Sequence, residues 1–216
     1  QIEELDASVG KVFYSLRELG IENNTIFIFM SDNGGSRGTS MGPLKGGKGS
    51  MYEGGPRTPF LIHWPESIPA GKVSHEIGVS SDLLPTLAKL CGGKLSGNRI
   101  DGRDLSDLFL DPDKAKSPHE GFAHKGMAYR LGKWKMVGKQ LYDLEKDLGE
   151  KHNLAKQYPE VLKKLNDKAN KFFSKIEGEI RPHAQMPDPS PLIEESEAEA
   201  LPDLEKWLKV IEGSKK

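Results

Sequence analysis

The 216-residue chain is 36% hydrophobic and 29% charged, with a formal net charge of -1, so it can form one large domain or two small ones. It carries no global attraction for nucleic acid or an anionic membrane. No run approaches the ~18 apolar residues needed to span a bilayer, no basic-then-apolar leader opens the chain, and the single cysteine, Cys91, excludes an internal disulfide framework.

Taken in chain order, Ile2, Leu5, Val9, Val12, Phe13, Leu16 and Leu19 recur at helical spacing and predict an amphipathic helix that Gly20 ends. Thr25–Met30 is apolar without alternation, which predicts a central strand covered on both faces. Pro59–Trp64, closed by Pro65, is a second strand. Ser81–Leu90 reads as a helix with Ser81 or Asp82 as its cap and Gly92-Gly93 as its stop. This order of elements is the rhythm of an α/β sheet. From Asp111 to Pro118 a polar, proline-containing connection marks a subdomain boundary. Met127–Leu144 holds short alternating segments parted by Gly132 and Gly138-Lys139, an antiparallel meander. Tyr158–Ile176 is an amphipathic helix with Val161, Leu162, Leu165, Ala169, Phe172 and Phe173 facing inward. The expected organisation is therefore an α/β part with a mixed sheet over 1–110 and an antiparallel sheet plus helix over 111–177. An extended tail follows over 178–216, with a short helix at Leu201–Ile211.

The chemistry concentrates between the two predicted strands. Ser31-Asp32-Asn33-Gly34-Gly35 follows the first strand, placing a carboxylate and a carboxamide where a strand meets its loop. Ligands of α/β sheets bind at such strand ends. Asp32 can supply charge, and Asn33 a neutral oxygen, to a hard cation such as calcium or magnesium. On spacing alone, the same residues read as ordinary turn chemistry. Lys48, inside Gly46-Gly47-Lys48-Gly49, is a compact cation on a glycine loop, suited to neutralising a sulfate or phosphate oxygen. The alternative is a solvated loop lysine, the reading preferred for Lys45. The glycines do not have phosphate-loop spacing. Glu53 and Arg57 suit an ion pair bracing this loop.

Together these segments resemble the sulfatase family of the alkaline-phosphatase-like superfamily. The resemblance rests on Ser31–Gly35, on GGKGSMYEGGPRTPFLIHWP (46–65), on SHEIGVSSDLLPTLAKLCGG (74–93) and on DGRDLSDLFL (101–110). It continues in Tyr129–Lys135 followed by Leu141-Tyr142-Asp143-Leu144, Asp147, Glu150 and Asn153-Leu154, covering roughly residues 1–176. The K-G-S-x-Y-E-G-G block is the specific signature; the D-N-G pair alone is weak. The resemblance implies that Asp32 and Asn33 ligate Ca2+ (or Mg2+), and that Lys48 binds sulfate and assists departure of the alcohol. It also implies that His124 lies at the pocket rim and touches the sugar or aryl part, against a plain hairpin histidine as the alternative. His63 and His75 read as structural; His119, His152 and His183 as solvent-facing.

The departures are as informative. Relatives make their nucleophile by converting the cysteine or serine of C/S-x-P-S/A-x-R to formylglycine, and Cys91 has neither Pro nor Arg at that spacing. It reads as a helix-end core cysteine. The family's N-terminal metal carboxylates and further sulfate-binding groups have no counterpart. The expectation is therefore the C-terminal half of a sulfatase acting on sulfate monoesters, with carbohydrate sulfate preferred as substrate. The chain alone would be inactive, with formylglycine in the missing half. A phosphonate or phosphate ester hydrolase of the same superfamily, and a non-catalytic sulfated-glycan-binding fragment, are the alternatives. Expected partners are a sulfated small molecule or glycan and the missing half, or a second copy covering the apolar strand; no nucleic acid or membrane is expected. The resemblance implies a periplasmic, secreted or lysosomal location.

Overall fold

The computed structural model describes residues 2–36, 38–95 and 100–179; the predicted Leu201–Ile211 helix and His183 lie outside them. Helix α1 (Ile2–Glu18) ends before Gly20, where the spacing places its stop. Val9, Phe13, Leu16 and Leu19 of its stripe are half-buried, whereas Ile2, Leu5 and Val12 are exposed. Phe13 carries the contact, its ring 4.3 Å from Phe27 and 5.1 Å from His63.

Strands β1 (Phe27–Met30) and β2 (Phe60–His63) pair antiparallel, from Phe27 opposite His63 to Met30 opposite Phe60. Every residue of β1 is half-buried and none is buried, which corrects the expectation of a strand covered on both faces. A two-stranded ribbon offers only as much cover as its neighbours provide, and Leu61 of β2 is 59% exposed.

Helix α2 (Leu83–Leu90) follows a 3₁₀ turn at Ser80–Asp82, and α3 (Ser106–Leu110) lies beside it. Asp82 holds the N-cap position of α2, as expected, but its side chain makes no capping hydrogen bond to that helix. Its fully buried carboxylate instead accepts the backbone N–H groups of Val79 and Arg103, both at 2.8 Å, and meets His119 Nε2 at 2.7 Å. Thr86 Oγ1 donates to the Asp82 carbonyl (2.6 Å) and accepts from Leu105 N–H (2.9 Å). Three loops thus meet at one turn, and a buried carboxylate is satisfied by three partners. His119 is accordingly an interior partner, not the solvent-facing residue expected. Cys91, at the end of α2, is exposed rather than core, and His75 is also exposed.

The meander has four strands: β3 (Phe122–His124), β4 (Ala128–Leu131), β5 (Trp134–Val137) and β6 (Gln140–Asp143), antiparallel and in sequential order. The sequence signals only the last three. Helix α4 (Pro159–Gly178) covers one face, where Tyr129, Met136 and Leu141 enclose Leu165 and Ala169. Phe172, expected inward, is 42% exposed; Phe173 takes the packing role. Because side chains alternate along a strand, Ala128, Val137 and Tyr142 point to the opposite face. There they pack against Met51 and Tyr52 of the long β1–β2 connection. The meander is therefore a two-sided platform with α4 beneath it and the glycine-rich loop above. Residues up to Gly178 form one compact unit.

Candidate active site

The loop that carries Lys48 is laced to the end of β1 by backbone hydrogen bonds. Gly34 N–H donates to Gly55 O (2.9 Å) and Lys48 N–H to Gly35 O (2.9 Å), while Gly54 N–H closes the loop on its own Lys45 O (2.8 Å). Such bonds need backbones closer than side chains allow. A Cβ at Gly34 would overlap the Gly54 carbonyl oxygen, and one at Gly55 the Ser50 carbonyl oxygen. Gly34 is thus required by its contact with Gly54, and Gly54 and Gly55 by the backbone of their own loop, beyond any turn they make. The laced loops enclose an open cleft of about 300 Å³, lined by Gly35, Ser36, Gly38, Thr39, Met41, Gly46, Gly47 and Lys48.

Asp32 lies at the C-terminal end of β1 and is exposed; Asn33 beside it is half-exposed. Ser31 Oγ donates to the Asn33 carbonyl (2.9 Å), which fixes the turn and leaves the Asn33 side chain out of that bond. Among the described residues neither the Asp32 carboxylate nor the Lys48 ammonium has a hydrogen-bond or ion-pair partner, although the backbone lace brings Lys48 beside Gly35. The two oxygen-bearing side chains are hard donors and fit calcium or magnesium. They account for only part of a shell, and no cluster of three or more His, Cys, Asp or Glu occurs among the described residues.

Beneath the loop lies a buried ionic cluster. Lys135, on β5, shares the phase of Val137 and so faces the loop. Its Nζ donates to Glu53 Oε1 at 2.8 Å. It also lies 3.2 Å from Glu150 Oε1, at ion-pair distance without hydrogen-bond alignment. Glu150 Oε2 accepts Glu53 N–H at 2.7 Å, and the Glu150 carbonyl accepts Lys45 Nζ at 3.2 Å. Lys45 also sits over the Tyr52 ring, 3.8 Å from its centroid, so it is a tie and not the solvated lysine expected. Burial pushes the Glu150 carboxyl above its ordinary value, opposed by the Glu53 N–H and Lys135. The anticipated Arg57–Glu53 pair is present at 3.5 Å but is secondary to Lys135. Lys135 and Glu150 stand in the sequence only as parts of a pattern. The signal that could have singled out Lys135 is its charge at an inward-phased position of an otherwise apolar strand.

His124 and Lys125, at the β3–β4 turn, hold the loop from the side. Lys125 Nζ donates to Gly49 O (2.6 Å), and His124 Nε2 lies 3.2 Å from Ser50 O. Because a carbonyl only accepts, Nε2 carries the proton. Burial lowers the affinity of His124 for a second one, so near neutrality its Nδ1 is an acceptor. The structure therefore brings His124 to the Lys48 loop, though it contacts the loop backbone. One segment comes within a residue of the formylglycine motif, Ser67-Ile68-Pro69-Ala70-Gly71-Lys72, with Lys in place of Arg. It forms the turn after β2, and Lys72 pairs there with Asp113.

Residues 1–93 match the sulfatase family model. Human arylsulfatase A is 38% identical over a 207-residue alignment, covering 75% of this chain and 40% of that protein. Mouse N-acetylgalactosamine-6-sulfatase is 40% identical over 144 residues, covering 62% of this chain and 27% of that protein. The crystal structure of Ps i-CgsB in complex with k-i-k-neocarrahexaose superposes with a TM-score of 0.67 at 36% identity, over 77% of this chain and 40% of that one. The chain thus spans about two fifths or less of the length of these relatives. Its fold is accordingly that of the alkaline-phosphatase-like enzymes, and the chain belongs to the sulfatase family.

Proposed function

We propose that this chain contributes the Asp32/Asn33 and Lys48 side of a sulfatase site that hydrolyses sulfate monoesters of carbohydrates. The observation that carries the reading is a carboxylate and an ammonium, both without a partner among the described residues, on one glycine-laced connection whose Lys48 lines an open cleft. Two groups of opposite charge left without partners on one connection can each take a ligand of the opposite sign. A cation and a sulfate oxyanion satisfy both. The relatives named as an N-acetylgalactosamine-6-sulfatase and as a complex with k-i-k-neocarrahexaose favour a carbohydrate ester.

Asp32 and Asn33 would hold calcium, with magnesium as the alternative, through their side-chain oxygens. When bound, the ion supplies positive charge against the sulfate oxygens. Lys48 Nζ neutralises a sulfate oxygen and holds the proton that the departing alcohol oxygen takes up. His124 would present Nδ1 to a hydroxyl of the sugar from the loop's far side. The nucleophile, a formylglycine, and the remaining ligands are assigned outside these 216 residues, which contain no C/S-x-P-S/A-x-R sequence. A periplasmic, secreted or lysosomal site of action goes with this reading. Among the described residues no helix is long and apolar enough to cross a membrane.

The test is sulfate release from N-acetylgalactosamine 6-sulfate by the native polypeptide that contains this chain. Lys48→Ala should lower kcat about 10²- to 10³-fold. Asp32→Ala with Asn33→Ala should abolish the loss on chelation by removing the activity itself. The 216 residues alone should show no turnover. Lys48→Ala turnover within twofold of wild type, or faster cleavage of a phosphonate monoester than of any sulfate, would sink the proposal.

A further inference from the structure

We infer that Lys135 and Glu150, two residues of the platform beneath the loop, are positioning residues that set the placement of Lys48. This rests on the reading of Lys48 given above. Lys48 stands near the middle of a closed loop whose base is the Gly54 N–H to Lys45 O bond at 2.8 Å. One residue grips both sides of that base. Glu150 accepts Lys45 Nζ with its carbonyl (3.2 Å) and Glu53 N–H with its carboxylate (2.7 Å). Lys135 completes the grip through Glu53 Oε1 at 2.8 Å.

The cluster is interior. Glu150 is 0%, Lys135 2% and Glu53 4% exposed. Burying three ionised groups is costly and seldom repaid in stability alone. An apolar trio of similar volume would cement the same platform. What charges add is direction: each bond fixes one atom of the loop base against β5 and the β6–α4 connection. The upper part of the loop is steadied separately, by Lys125 on Gly49 O and His124 on Ser50 O. Neither set of ties touches the Lys48 side chain, whose ammonium has no partner among the described residues. The loop backbone is therefore fixed at two levels while its cation is left open to the cleft. Lys135 and Glu150 touch no part of the cleft, so any effect they have on turnover must pass through the loop.

The experiment is a double-mutant cycle in the native polypeptide, with Glu150→Gln and Lys135→Met each made alone and combined with Lys48→Ala. Melting temperature is read beside kcat and KM. Glu150→Gln should lower kcat about 10- to 100-fold with KM within about twofold, as expected for a misplaced group. In the Lys48→Ala background it should have almost no further effect. Amide exchange should speed up at Gly54 and Gly55 and stay unchanged in β4 and β6. A multiplicative loss in the Lys48→Ala background would overturn the inference by showing a role independent of Lys48, as would a kcat unchanged by Glu150→Gln. Should Lys48→Ala itself be without effect, the reading of Lys48 fails first. The exchange data then decide whether Glu150 holds the loop at all. Lys135→Met keeps the test open if Glu150→Gln does not fold.

Discussion

At residue 34 the space for a methyl group is already taken by the Gly54 carbonyl oxygen. Gly34→Ala must therefore push the two loops apart and break the Gly34 N–H to Gly55 O bond of 2.9 Å. Overpacking at a rigid site costs about 1–3 kcal/mol or more. The expected outcome is a lower melting temperature together with loss of sulfate release; an unchanged melting temperature would show that the loops are not so closely joined. Gly55→Ala should behave alike, because its Cβ would meet Ser50 O. The polar residues at this scale divide into those with partners and those without. Glu53, Lys135 and Glu150 pair with one another in the interior, whereas among the described residues Asp32, at the end of β1, and Lys48, on the wall of the cleft, have none.

Among the elements, the meander and α4 carry the largest shared core. Leu165, 0% exposed, sits among Tyr129, Met136 and Leu141. Leu165→Ala should destabilise the fold by about 2–5 kcal/mol, read as a shift in the denaturant midpoint. A shift smaller than that of the exposed control Phe172→Ala would contradict this core assignment. A second element-level tie is Glu76, whose carboxylate accepts Ser117 N–H (3.1 Å) and Lys116 Nζ (3.0 Å). The Ser117 N–H first, and then Lys116, hold it below its ordinary value of 4.5. A carboxylate with a depressed folded value binds fewer protons in the native state than in the unfolded one. Its contribution is present above that ordinary value and is lost as the pH falls through the folded value. The stability gap between wild type and Glu76→Gln should therefore narrow on acidification from pH 7 to pH 3. A gap that widened would reverse the sign assigned here.

For the whole molecule, the decisive feature is that one sheet serves two neighbours. Strand alternation sends Tyr129, Met136 and Leu141 to α4, and Ala128, Lys135, Val137 and Tyr142 to the glycine loop. The C-terminal meander thus underpins a loop more than 80 residues earlier in the chain; Lys135 and Glu53 are 82 apart. A fold of this kind makes the site depend on the platform, which is why a substitution under the loop is expected to reach turnover.

The sequence by itself determined the local and the periodic: α1 and its stop before Gly20, the strand that ends at Met30 just before Asp32-Asn33, the meander and α4. It also determined the Lys48 glycine block, because short-range glycine and charge patterns are legible without knowing what they touch. Partners distant along the chain were not legible. Asp82 reads as a helix cap, and becomes the hub for Val79, Arg103 and His119 only once the loops converge. Lys45 reads as solvated until Tyr52 and Glu150 close over it, and β1 reads as a covered central strand although among the described residues it pairs with β2 alone. The physical reason is common to all three. Periodicity encodes which face of an element is apolar, but which group meets a buried charge is settled by packing between segments far apart in the chain, and that was decided only by the tertiary structure.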